Sequence, residues 1–261
     1  MYIHNLNPVL IDFGLIVIRW YSLAYIFGIL IGWWYGKKLI LKKINSLNFK
    51  FDLNEFENLI TFLIISIILG GRLGYVFFYN FEYYASNPID IIKIWHGGMS
   101  FHGALIGIII GTYLFSLKKQ LSLLFLLDII SCVSPIGIFF GRIANFVNSE
   151  LVGKVTDVEW GVIFPKVDNL IRHPSQIYEA VLEGLILFAI MLFVYFKKNY
   201  KFGNCSSMFL IFYGIFRIFS EFFRQPDVQV GFIYGPISMG MLLSAIMIIA
   251  GTILYIKKND S

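Results

Sequence analysis

Charge is what this 261-residue chain has least of. Asp, Glu, Lys and Arg make up 14% of it, where a soluble domain carries about 25%. Set against 58% hydrophobic residues and a mean hydropathy of +0.75, that scarcity excludes a disordered, secreted or ordinary cytoplasmic protein. Cysteine is nearly absent. Cys132 and Cys205 both lie in apolar stretches, which argues against a disulfide framework and against any zinc spacing. No HExxH, paired CxxC or ligand-like histidine spacing occurs, so no metal is expected. No GxSxG elbow or P-loop occurs either, and no cofactor is expected. The first residues, MYIHNLNPVLIDFG, lack the basic stretch of a cleavable signal peptide, so the first hydrophobic segment is expected to remain as an anchor.

What the chain has in excess is apolar and aromatic surface, with 27 Phe and 15 Tyr. Crossing a bilayer takes about 20 apolar residues as a helix. Seven segments qualify, near residues 14–36, 58–79, 101–117, 121–140, 177–196, 206–222 and 233–256. Their continuous length excludes an outer-membrane barrel, whose strands alternate over about 10 residues. The expected fold is an all-α polytopic membrane protein of seven transmembrane helices, residues 1–261 forming a single integral membrane domain. Residues 141–176, with the run VEWGVIFP, are expected to form a small outward-facing head between the fourth and fifth spans.

The basic residues divide by type. Lys37, Lys38, Lys42, Lys43 and Lys50 follow the first span, Lys118 and Lys119 the third, Lys197, Lys198 and Lys201 the fifth, and Lys257 and Lys258 the last. The positive-inside rule makes that side cytoplasmic, with the N-terminus outside and the C-terminus inside. The net charge of +5 thus reports topology, and no nucleic-acid partner is expected. All six arginines (Arg19, Arg72, Arg142, Arg172, Arg217, Arg224) and all four histidines (His4, His96, His102, His173) fall on the outer side or within a span. Arginine suits bidentate binding of phosphate or carboxylate, so the functional end is expected to face outward. Gly28, Gly32 and Gly36, and Gly103, Gly107 and Gly111, are spaced for close helix packing.

Four clusters could carry chemistry. In WHGGMSFHG, 95–103, His102 stands at the mouth of the third span, where it suits general-base work or simply satisfies an interfacial carbonyl; His96 lies farther out. In GRIANFVNSELVG, 141–153, Arg142 and Asn145 share a helical face, followed by Asn148, Glu150 and Gly153. A cation beside oriented amides is what a phosphodiester needs; a capped helix end with a snorkelling arginine is the plainer reading. In RHPSQIYEAVLE, 172–183, Pro174 fits a first turn, and Gln176, Glu179 and Glu183 run along one face toward arginine partners. In YGIFRIFSEFFRQPD, 213–227, Tyr213, Arg217, Glu221 and Arg224 form one stripe facing an interior cavity. Tyr21 reads as an interfacial aromatic, and Asp128, near Ser131 and Ser134, as an interhelical hydrogen-bonding group. Arg72 needs a counter-ion such as Glu179 or Glu221. Together these describe an outward cavity for an anionic, partly apolar substrate.

HGGMSFHG, GRIANFVNSELVG, RHPSQIYE and FRIFSEFFRQPD, in this order, resemble the signature blocks of the bacterial prolipoprotein diacylglyceryl transferase family, from Trp20-Tyr21 to ISMG at 237–240. The resemblance implies a seven-span inner-membrane transferase with its active site toward the outer leaflet. Such an enzyme moves the sn-1,2-diacylglyceryl group of phosphatidylglycerol onto the lipobox cysteine of a preprolipoprotein, forming a thioether and releasing glycerol 1-phosphate. It implies that Arg142, Asn145, Glu150 and Gly153 bind phosphatidylglycerol, and that Tyr21, His102, Tyr213, Arg217 and Glu221 are essential. On that basis Arg142 and Arg217 are expected to clamp the phosphate while His102 takes the thiol proton. One departure is Ala144, where the family pattern has glycine. A single chain is expected to act alone. A transporter or channel for a small anion is the alternative, but it predicts polar groups along a whole transmembrane path, and here they crowd to one side. A seven-helix receptor would use its cytoplasmic loops, which are short and lysine-rich.

Overall fold

The computed structural model describes residues 2–14, 17–47, 51–225, 232–234 and 237–259. Lys50, Pro226 and Asp227 lie outside the described residues, as do the side chains of His96 and His102. A long helix covers each apolar segment. These are α1 (Trp20–Leu47), α2 (Leu53–Tyr79), α4 (Phe101–Lys119), α5 (Leu123–Asn148), a continuous run of α6 (Ser175–Glu179), a π-helical stretch (Ala180–Ile186) and α7 (Leu187–Tyr195), then α8 (Asn204–Glu221) and α9 (Met239–Asn259). A short helix, α3 (Phe81–Ser86), follows α2. Among the described residues four stretches, Leu53–Phe77, Leu123–Asn148, Ser175–Tyr195 and Met239–Lys257, are long and apolar enough to cross a membrane. The chain is a helical membrane protein.

Three boundaries differ most from the sequence expectation. α9 starts at Met239, not near residue 233, because Phe232–Tyr234 and Ile237–Ser238 pair as strands ahead of it. α1 starts at Trp20, not near residue 14, because β3 (Val17–Arg19) pairs antiparallel with β2 (Val9–Asp12). α5 runs on to Asn148, past 140 and through Pro135. Ser134 Oγ donates to the Ile130 carbonyl at 2.7 Å in the turn before the proline, and proline is tolerated inside membrane helices. Arg142 and Asn145 therefore stand on helix, and the non-helical stretch is 149–174.

The chain forms two compact units, 37–127 and the remainder, with the divisions inside α1 and α5. In unit 37–127, α2 and α4 touch backbone to backbone. A Cβ added at Gly107 would lie 2.2 Å from the Ser66 carbonyl oxygen, and one at Gly103 would lie 2.3 Å from that of Gly70. Arg72 does not find Glu179 or Glu221. Its guanidinium donates to the carbonyls of Ile91 (2.8 Å), Asp90 (2.6 Å), Lys93 (3.2 Å), Gly98 (3.1 Å) and Gly97, and lies 5.1 Å over the Tyr84 ring. Five donors on a planar cation can be satisfied by carbonyl dipoles alone, so no carboxylate is needed. Ser100 N donates to Gly71 O at 2.8 Å, and Ser100 Oγ caps α4 by accepting from Gly103 N.

In the other unit, α1 meets α5 at glycine: a Cβ at Gly28 would lie 3.1 Å from Gly137 Cα. Asp128 is fully buried and caps α8. It accepts from Gly203 N (2.7 Å), Ser206 N (2.7 Å), Ser206 Oγ (2.5 Å) and Tyr200 OH (2.5 Å), as expected of an interhelical hydrogen-bonding group. Cys132 and Cys205 are fully buried. The 149–174 stretch carries β4 (Val162–Ile163) and β5 (Ile171–Arg172), and β1 (Tyr2–Ile3) joins β4 in parallel. Val152, Val162 and Phe164 pack with Phe146 beneath them. His4 is buried against Phe146 and Phe164, with Nδ1 3.1 Å from Ser149 Oγ. A further hairpin, β6 (Phe232–Tyr234) and β7 (Ile237–Ser238), precedes α9.

Two outcomes are expected. Gly107→Leu should cost at least about 1–3 kcal/mol by forcing α2 and α4 apart, whereas Gly141→Ala, in open space on α5, should leave the protein as stable or more so; thermal unfolding in detergent compares them. Burial holds His4 below its ordinary value. Its neutral form therefore contributes stability that is complete above about pH 6.5 and lost as pH falls through the lower folded value. Melting temperature should drop between pH 7.5 and 5, and His4→Asn should shrink that drop.

Candidate functional site

Three helices bring their charged residues to one place. α5 presents Arg142. The helical run from Ser175 presents Glu179 and Glu183, four apart. α8 presents Tyr213, Arg217 and Glu221 on one stripe, with Arg224 just beyond its end. The backbone is sewn together around them. Gln176 Nε2 donates to Glu150 O (2.6 Å) and Ser175 Oγ to Leu151 O (3.0 Å), fixing the start of α6 against the end of α5. Gly153 N donates to His173 O (3.1 Å), Lys154 N to Phe223 O (2.8 Å) and Gln225 N to Val152 O (3.2 Å). Arg172 locks this seam by donating to Gly153 O (2.9 Å), Gln225 Oε1 (2.8 Å) and the Asp168 carboxylate. That bond holds the Asp168 carboxyl below its ordinary value.

The charges form a continuous network. Glu179, with no exposed side-chain surface, lies 3.0 Å from Arg142 Nε, 2.6 Å from Arg217 Nη1 and 3.6 Å from Arg224 Nη1. Glu183, equally buried, lies 3.2 Å from Arg142 Nη2 and 3.8 Å from Arg217 Nη1. Arg217 Nη2 pairs with Glu221 Oε1, whose other oxygen accepts from Ser238 Oγ at 2.8 Å. A Cβ at Gly240 would lie 2.8 Å from that carboxylate, so a larger residue there requires the Glu221 side chain to shift. Arg142 and Arg217 keep a small exposed fraction, 16% and 12% of the side chain, while the carboxylates they pair with keep 5% or less. The arginine side chains are thus more accessible than the acids of the network. Tyr213 stands one helical turn before Arg217 on α8.

The remaining expected residues sort differently. Asn145 and Asn148 both donate to Glu150, at 3.1 and 3.2 Å, next to Arg142 on the same chain segment. Tyr21 opens α1, and its hydroxyl accepts from Tyr25 at 3.3 Å; Tyr25 feels the charge of Glu150. Gly153 is wedged between backbones, a Cβ there lying 2.2 Å from His173 O and 2.8 Å from Phe223 O. It shapes the seam. His102 is the second residue of α4, in the other unit. Ser238, Gly240 and Tyr25 were not anticipated. Glu179 and Glu183 were legible as buried carboxylates seeking arginines, and their i, i+4 spacing was the signal.

The family model described as prolipoprotein diacylglyceryl transferase matches residues 8–257. Relatives named phosphatidylglycerol–prolipoprotein diacylglyceryl transferase include one from Rickettsia bellii, 51% identical over 255 residues, covering 97% of this chain and 95% of the relative. The one from Rickettsia felis is 49% identical over 257 residues, 98% of each chain. The one from Rickettsia typhi is 50% identical over 264 residues, the whole of both.

Removing one partner of a buried ion pair strands the other, at about 3–5 kcal/mol. Glu179→Ala, which strands parts of three guanidiniums, should destabilise the protein by that amount in chemical unfolding in micelles. Glu159→Ala, at an exposed position, should be silent.

Proposed function

The chain belongs to the prolipoprotein diacylglyceryl transferase family and is a transferase, and from that premise we propose how its residues divide the reaction. The sn-1,2-diacylglyceryl group of phosphatidylglycerol passes to the lipobox cysteine of a preprolipoprotein. The cysteine sulfur attacks the glyceryl CH₂, a C–S bond forms, the C–O bond to phosphate breaks, and glycerol 1-phosphate leaves. A thiol with an ordinary pKa of about 8.5 is mostly protonated at neutral pH, so a base assists; His102 takes that role. Negative charge grows on the departing phosphate, and Arg142 and Arg217 hold it. Donors aimed where charge develops bind the transition state better than the ground state.

The observation that carries this reading is the sharing of Glu179 by Arg142 and Arg217. One buried carboxylate sets two guanidiniums side by side, as a phosphodiester requires. Glu221 orients Arg217, and Tyr213 stands within the same field. Asn145 and Glu150 offer hydrogen bonds to the glycerol headgroup, Gly153 shapes the backbone beneath them, and Tyr21 lines the approach with Tyr25. The seven helices are seven spans of the bacterial inner membrane, with the N-terminus and the active site outward, the 149–174 stretch as the small head, and the lysine-rich ends cytoplasmic. The enzyme works as a monomer.

Purified protein incubated with phosphatidylglycerol and a lipobox peptide should add a diacylglyceryl mass to the cysteine. Arg142→Ala should lower the rate by about 10²–10³ and weaken lipid affinity. His102→Gln should lower turnover by about 10²–10⁴ with lipid affinity kept. Normal turnover in His102→Gln removes the base assignment. No mass gain from folded wild type favours the anion-transport alternative, which a flux assay tests.

A further inference from the structure

The buried network has a charge balance with consequences for binding. Among the described residues it holds three guanidiniums, of Arg142, Arg217 and Arg224, and three carboxylates, of Glu179, Glu183 and Glu221. Fully ionised, these six groups cancel. A phosphodiester brings one more negative charge into a site walled by buried carboxylates, and uncompensated buried charge is strongly unfavourable. Neutrality returns most simply if one carboxylate accepts a proton.

The geometry singles out which one. Glu179 faces three guanidiniums, and Glu221 has Arg217 and the Ser238 hydroxyl. Glu183 has one close partner, Arg142 Nη2 at 3.2 Å, with Arg217 beyond hydrogen-bond reach at 3.8 Å. Its Oε1 is buried with no hydrogen-bond partner and its nearest cation at 3.8 Å, whereas Glu179 Oε2, also without a hydrogen bond, lies 3.0 Å from Arg142 Nε. The groups facing it are Arg142 from α5, Glu179 from α6, and Tyr213 and Arg217 from α8; Arg224 pairs with Glu179, and Glu221 with Arg217. When Arg142 and Arg217 turn their charge toward a phosphate, Glu183 loses most of its support. It also sits in the widened π-helical stretch Ala180–Ile186, a backbone form that recurs at functional sites.

We infer that Glu183 takes up one proton from solvent when the phosphodiester of an anionic lipid enters the site, so that lipid binding is proton-coupled. The inference rests on the proposed phosphate clamp and adds a binding step to it.

The test is calorimetric titration of the purified protein in micelles with short-chain phosphatidylglycerol. It is run from pH 5.5 to 8.5 at fixed salt, in buffers of different ionisation enthalpy, so that bound protons are counted. Wild type should take up about one proton per lipid. Its Kd should rise by up to about tenfold per pH unit where free Glu183 is ionised and the complex is not. Glu183→Gln, neutral at every pH, should bind with no uptake and a flat profile. Glu183→Asp, which keeps a titratable carboxyl, should retain uptake and guards against a variant that merely fails to fold. Neutral diacylglycerol should bring no proton. Wild type that binds without uptake, or Glu183→Gln that takes up as much as wild type, overturns the coupling. Transfer to the lipobox peptide separates the two readings: an enzyme that transfers without uptake loses only the coupling, and a folded protein that neither binds nor transfers loses both.

Discussion

The structure of the site depends on one carboxylate. Glu179 has no exposed side-chain surface and holds Arg142, Arg217 and Arg224 at once. Three guanidiniums gathered in an apolar setting would repel one another and each would lack its hydration; the shared anion offsets both costs. Much of the surrounding architecture keeps that arrangement in register. The seam joining the end of α5, the start of α6 and the end of α8 is made of backbone hydrogen bonds closed by Arg172. Such bonds have little freedom to adjust, so the helices that carry the charges are held in register by backbone bonds as well as by the charges themselves.

The opposite end of the same unit obeys a parallel rule. Asp128 gathers four donors around the start of α8. One buried acid therefore anchors α8 at its first turn while Glu179 engages it near its last. In the 37–127 unit the same economy is reached with a cation: Arg72 satisfies the carbonyls of the 90–98 segment, and that segment leads through the Ser100 cap into the helix bearing His102. In a low-dielectric setting a single ionised group with all its hydrogen bonds made is a strong organiser.

Much of this was legible in the sequence. Hydropathy located the seven long helices among the described residues, four of which are long and apolar enough to cross a membrane. The stripe at Tyr213, Arg217, Glu221 and Arg224 and the acids at Glu179 and Glu183 were legible as partners, since buried charge must pair. What escaped has local causes. The start of α1 depended on a hairpin between β2 and β3 that hydropathy alone does not resolve, and the end of α5 on a proline that did not break it. β1 lies more than 150 residues from its partner β4 in sequence, and two-residue strands leave no periodicity to read. The partner of Arg72 was misjudged because carbonyls are invisible in a list of side chains. Ser238 and Gly240 act by size and by a single hydroxyl, which sequence alone does not mark as special.

Cys132 and Cys205 are both fully buried. A protein whose chemistry turns on the sulfur of another chain has its own sulfurs sealed in helix packing, where no solution reagent or neighbouring thiol reaches them while the fold holds. The incoming cysteine therefore meets no second enzyme thiol and no enzyme partner for a mixed disulfide. In a mixture of the folded enzyme and its acceptor, every thiol that reacts with a water-soluble alkylating agent belongs to the acceptor. The enzyme is a silent background against which the consumption of its own substrate can be counted.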